Sequence, residues 1–153
     1  MLNKTLQELF RRDLEKLKEE IGAYKNEQAM WLTDKALPNS GGNLCLHLCG
    51  NLSHFIGATL GNSGYVRNRD LEFSDKNVPR EELIKKVDET IAAVDATLAS
   101  LAEDRLQKDF PIEVFKDKPV TSTEWMLVHL ATHLGYHLGQ VNYHRRMLGM
   151  LDS

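Results

Sequence analysis

Apolar positions along the chain recur at helical spacing in several stretches, and polar positions fill the gaps between them. Leu6, Phe10, Leu14, Leu17 and Ile21 follow one another in steps of four and three with charges between them. That rhythm predicts an amphipathic first helix from residue 2 to about residue 25. Trp31 and Leu32, in the connection that follows, are placed to close the core's lid. The cluster Leu37-Pro38-Asn39-Ser40-Gly41-Gly42-Asn43 is a turn, in which Asn43 or Ser40 can cap a second helix over about 44–60. This second helix is almost entirely apolar or small, so it is expected to be buried on most sides.

Gly61-Asn62-Ser63-Gly64 ends the second helix, and the stretch 65–77 then shows no clear periodicity. Pro79 opens a third helix, in which Leu83, Val87, Ile91, Val94, Leu98 and Leu101 keep the four/three rhythm. A second irregular stretch, 110–120, contains Pro111 and Pro119. Thr121-Ser122-Thr123-Glu124 then reads as a capping box, with the Thr121 hydroxyl and Glu124 carboxylate satisfying each other's amide donors at the start of a fourth helix. No strand pattern, internal repeat or low-complexity tract interrupts this order. The expected architecture is all-α: one domain spanning residues 1–153, a four-helix bundle with long connections after helices 2 and 3.

A chain of 153 residues is long enough to bury a core without disulfides or a structural metal. Lys and Arg number 19 against 22 Asp and Glu, a net charge of −3, and the basic residues are interspersed with acidic ones. That distribution argues against nucleic-acid binding. The charged, amphipathic start and the lack of an apolar run of about 18 residues argue against a signal peptide or a membrane span, and lead to the expectation of a soluble, cytoplasmic protein. Cys45 and Cys49 lie two residues either side of His47. Each therefore falls about 200° around the helix from it, as a small buried apolar residue.

The candidate chemistry lies in the histidines. Four of the six fall between residues 129 and 144, and His129, His133 and His137 are spaced by four in WMLVHLATHLGYHLGQ. Four residues advance a helix by one turn plus roughly 40°, so His133 and His137 can close on one metal ion. A third imidazole can come from the second helix, where His47 and His54 share a face with Asn51 between them; the residues alone leave that choice open. Three imidazoles leave coordination positions free, as catalytic sites do. Imidazole is borderline in softness, which favours Zn or Ni ahead of Fe or Mn. Such an ion would lower the pKa of a bound water or thiol and make it a nucleophile at neutral pH.

Around this core sit residues with second roles. Gln140 is close enough to reach the edge of the site, although an amide in its position can equally cap neighbouring backbone. Asn51 could orient a ligand, and His129 extends the histidine row. Arg67 and Arg69, in the long connection beside Tyr65 and Asp70, could hold a substrate carboxylate or phosphate, or pair with Asp70 or Glu72 instead. Arg145 and Arg146 complement the dipole at the end of the fourth helix.

At His47-Leu48, at His133-x-x-x-His137-x-Gly139-Gln140, and in GNLSHFIGATLGNSGY and HLATHLGYHLGQ, the chain resembles the DinB-like superfamily of metal-binding four-helix bundles, which includes the YfiT-like proteins. The resemblance covers essentially the whole chain and is nearest to a bacterial subgroup without an assigned function. It implies His47, His133 and His137 as ligands of a divalent metal, because His47 occupies the family's His-Leu pair. Leu138 stands where the family usually has arginine after the last histidine. Family members with known activity are metal-dependent transferases or isomerases that use low-molecular-weight thiols such as bacillithiol, mycothiol or glutathione, and homodimers are common among them. The expectation is therefore a metal-dependent, thiol transferase-like or hydrolase-like enzyme acting on a small molecule. The alternative is a non-catalytic, stress-related binding or dimeric scaffold protein with a structural or vestigial histidine site.

Overall fold

The computed structural model describes residues 1–150. Four long helices carry the fold. Helix α1, Leu2–Ala23, buries the predicted stripe of Leu6, Phe10, Leu14, Leu17 and Ile21. A 3-10 turn, Glu27–Trp31, buries Met30 and Trp31, while Leu32 beyond it stays exposed. Helix α2, Gly41–Leu52, is buried along its whole length. Its cap is Ser40, whose Oγ accepts from the Asn43 amide at 3.1 Å. The glycine at position 42 lets Trp31 close on the helix, since a Cβ there would lie 2.7 Å from the indole ring.

Beyond Leu52 the helix does not stop but widens into a π-helical stretch, Ser53–Ala58, closed by the Thr59 amide on the His54 carbonyl. Asn62 and Gly64 then take the left-handed conformation, with φ of 52° and 80°, that turns the chain out of the helix. The first long connection is not wholly irregular. It contains a short helix, α3, Arg69–Ser74, capped by the Asn68 side chain. One turn is too short to show periodicity in sequence, which is why this stretch reads as a loop. The buried Asn43 amide holds α3 down by donating to the carbonyls of Glu72 at 3.0 Å and Asp75 at 2.8 Å.

Helix α4, Arg80–Ser100, follows Pro79 as expected and buries Leu83, Val87, Ile91, Val94 and Leu98. The second connection holds a 3-10 turn, Glu103–Gln107, and a single bridge between Asp109 and Ser122. Helix α5 is Thr123–Met147. Its start corrects the capping-box expectation by one residue: Ser122, not Thr121, accepts from the Trp125 amide at 3.0 Å. Glu124 instead accepts from Gln107. Backbone bonds from the Phe110 amide to the Thr121 carbonyl and from the Thr123 amide to the Lys108 carbonyl tie this stretch into the preceding chain crossing, and the helix starts after Ser122.

The fold is an all-α bundle. Helix α1 packs on α4 and α5, and α2 packs on the same two from the other side. Helix α2 is thereby wedged between α4 and α5, with α3 laid over it. No helix among the described residues is long and apolar enough to cross a membrane.

Candidate metal centre

Where α2 crosses α5, the side chains of His47, His133 and His137 converge. One nitrogen from each lies within 4.8 Å of the others, close enough for one ion. The ring centroids are 4.5 Å apart for His133 and His137 and 5.1 and 5.2 Å for His47 against each of them. His47 is buried and the other two half-buried, so the cluster has a closed side on α2 and an open side on α5. The Nε2 atoms of His47 and His133 face each other at 3.2 Å. Two nitrogens at ordinary zinc distances in tetrahedral geometry sit about 3.3 Å apart, so this spacing already suits a shared ion.

The far side of each ring decides which nitrogen faces inward. His47 Nδ1 lies 3.0 Å from Glu72 Oε1 and His137 Nδ1 lies 2.6 Å from Gln140 Oε1. Each oxygen is an acceptor, so each Nδ1 carries the proton and each Nε2 keeps its lone pair for the centre. Metal-ligating histidines are commonly held in this way. Gln140 thus acts on the histidine rather than on backbone.

Glu72 was missed as a partner of His47 because it comes from α3, 25 residues away. The available signal was Gly50, a glycine inside an apolar helix: a Cβ there would lie 2.0 Å from Glu72 Oε2. The glycine opens the door through which the carboxylate reaches the histidine. Arg67 grips the same carboxylate by two bonds of 2.9 Å, Nε to Oε2 and Nη2 to Oε1. Burial pushes the Glu72 carboxyl up, but the hydrogen bonds from His47 and Arg67 outweigh it and hold the group below the usual carboxylate range. Burial, reinforced by His137 and His47, brings His133 down to about 4. Burial also lowers His137, against the opposing pull of Gln140. At neutral pH His133 and His137 are therefore uncharged and free to donate lone pairs.

The other sequence-named residues fall around this centre. His54 is not in the cluster: seven residues carry it about 10.5 Å along the helix from His47, into the π-helical stretch, where its ring meets Phe55. His129 stacks on Trp125 and its centroid is 6.3 Å from His133, so it extends the row without joining the converging nitrogens. Arg67 is committed to Glu72, while Arg69 is exposed and lies over Phe73, whose ring packs against His47. Asn51 is buried on α2, and its Oδ1 has no hydrogen-bond partner. Cys45 and Cys49 are buried free thiols off the histidine face. Arg145 pairs with Glu20 of α1.

Two clefts include residues that hold the histidines, although none of the three histidines lines either. One, of about 520 Å³ between α2, α3 and α4, is lined by Cys49, Gly50, Glu72 and Thr90 among others. The other, of about 340 Å³, is lined by Leu44, Tyr136, Gln140 and Tyr143 among others.

Residues 2–152 match the family described as "Protein of unknown function (DUF1572)". The chain belongs to that family. No curated protein and no solved structure matches it. Within the family, then, the centre has to be read from its own chemistry.

Proposed function

We propose that this DUF1572 protein is a DinB-like metal-dependent enzyme whose centre, His47, His133 and His137, holds a divalent transition metal, with Zn or Ni preferred over Fe or Mn. The observation that carries the reading is the convergence of three imidazoles, two of them locked by Glu72 and Gln140 so that their Nε2 lone pairs face inward. A bound divalent metal with open positions would lower the pKa of a thiol or a water and supply a nucleophile at neutral pH. The chain's residues then do the positioning. Glu72 and Arg67 fix the buried ligand from behind, Gln140 fixes the one nearest the surface, and the half-buried α5 side leaves room for a small substrate and a low-molecular-weight thiol.

Cobalt-substituted protein tests this directly. Adding millimolar low-molecular-weight thiol should produce intense sulfur-to-cobalt charge-transfer absorption and shift the visible bands. Unchanged spectra with every thiol tried would remove the thiol-transferase reading and leave water as the nucleophile to test, by hydrolysis.

A second reading has its own support. Val128, Tyr136, Tyr143 and Met147 on α5 are all exposed, a face suited to a second copy of the chain in a homodimer. On that reading the protein is a scaffold and the metal serves stability. Stripping the metal would then dissociate the dimer, whereas an enzyme with a self-sufficient core keeps its assembly.

A further inference from the structure

Two of the three converging histidines have an acceptor for the outer ring proton: Glu72 for His47 and Gln140 for His137. His133 has none, and its Nδ1 is buried without a partner. A buried acceptor without a partner lies on the facing helix, the Oδ1 of Asn51, a residue only 6% exposed. Unpaired buried polar atoms are costly, and two of opposite potential on packed helices call for a common explanation.

The helix register brings them level. A Cβ at Gly41 would lie 3.2 Å from His144 Nδ1, Leu44 and Gln140 line one cleft, and His47 meets His137. Rising along α2 therefore means falling along α5, by about one turn for each turn. Asn51, one turn beyond His47, comes opposite His133, one turn before His137. Asn3, the other residue with an unpartnered buried amide oxygen among those described, lies in the first turn of α1 and is bonded through its Nδ2 to the carbonyl of Leu101, the residue after α4.

We infer that Asn51 is the positioning residue for His133 and that it acts when metal binds. His47 keeps its proton on Nδ1 for Glu72, so its Nε2 is a lone pair. With no metal between them, His133 at 3.2 Å must present Nε2–H to that lone pair, and its own Nδ1 is then a bare acceptor with nothing to gain from Asn51 Oδ1. A metal requires the Nε2 lone pair of His133. The proton leaves Nε2 to solvent and another is taken up at Nδ1, so the ring stays neutral and no electrons move. Nδ1–H is now a donor, and Asn51 Oδ1 is the acceptor that receives it. The three ligands then have three different acceptors, a carboxylate and two amides.

This inference rests on the metal-centre reading above, and zinc titration with imidazole-detected ¹H–¹⁵N NMR separates the two. In wild type, zinc should move the His133 proton from Nε2 to Nδ1 and give a nuclear Overhauser contact from that proton to the Asn51 side chain. Asn51→Leu should weaken zinc binding roughly 10- to 100-fold in competition with a chromophoric chelator, while Asn51→Asp, which keeps an acceptor, should restore it. Wild type that binds zinc without the tautomer change or the Overhauser contact, or Asn51→Leu that binds zinc as tightly as wild type, overturns the role of Asn51 alone. Wild type that binds no zinc overturns it together with the metal centre. The wild-type spectra decide even if Asn51→Leu does not fold.

Discussion

Helix α5 carries two buried histidine sites that look alike in sequence and differ in what they leave unmet. Near its C-terminal end, His144 is 1% exposed and both ring nitrogens are partnered within the chain. Tyr24 donates its hydroxyl to Nδ1 at 2.7 Å, and Nε2–H donates to the Leu32 carbonyl at 2.8 Å. Two to three turns earlier, His133 and His137 each turn a ring nitrogen toward one of His47, all within 4.8 Å of one another. A core histidine closes its hydrogen bonds; here only the outer nitrogens of His47 and His137 are held, and the inner nitrogens of all three face a common point. The contrast teaches that the state of the inner nitrogens, more than burial or spacing, marks a histidine as available to a metal.

The strongest way to break this comparison is to exchange the expected consequences. His133→Ala/His137→Ala should abolish near-stoichiometric transition metal in protein purified without chelator, measured by elemental analysis, while metal-free wild type and variant melt within a few degrees of each other. Metal retained in the double variant would put the ligands elsewhere. His144→Ala should do the opposite. It leaves the buried Tyr24 hydroxyl without its acceptor and the part-buried Leu32 carbonyl without its donor, costing about 3 kcal/mol and lowering the melting temperature by roughly 10 °C, with metal content unchanged. A variant as stable as wild type would mean that the Tyr24–His144 contact contributes little.

A finer test reaches the centre without touching a histidine. Gly50→Ala places a methyl against Glu72 and should lower metal affinity roughly 10-fold by displacing the carboxylate from His47. Alanine favours the helix over glycine by up to about 1 kcal/mol, so a loss of affinity would not come from a weakened α2. Unchanged affinity in a competition assay would show that Glu72 does not support His47.

The smallest effect is in pH. His133 titrates near 4 in the fold and His144 is also lowered by burial, whereas an unfolded imidazole titrates near 6.5. Below about pH 6.5 the unfolded chain therefore binds protons that the fold refuses. Stability of the metal-free protein is fully present above that pH and declines as pH falls toward 4. Denaturant unfolding at pH 7, 5.5 and 4.5 should show this decline, and His133→Gln should make it shallower. An equally steep decline in the variant would assign the proton uptake to other groups.

The four long helices were legible because each repeats its apolar positions over about four turns or more, or is apolar throughout. The pairing of His133 with His137 was legible because it is local, fixed by the pitch of a single helix. The sequence also placed Asn51 and Gln140 near the histidines, by the same helical arithmetic. It could not choose between His47 and His54 from spacing alone, since both share a face of α2. The crossing of α2 and α5 brings His47 to the pair, while His54 lies two turns beyond, where the helix has widened.

Glu72 depended on tertiary structure altogether. A one-turn helix in a connection without periodicity leaves no pattern, and the contact with His47 exists only because α3 folds onto α2 at Gly50. The start of α5 shifted by one residue for a related reason, because backbone bonds to Lys108 and Phe110 tie residues 121 to 123 into a chain crossing that the local sequence does not show. What the sequence by itself determined was everything repeated along one helix. What only the tertiary structure decided was which side chains from different helices meet, because helical period sets direction around an axis and says nothing about where another axis crosses it.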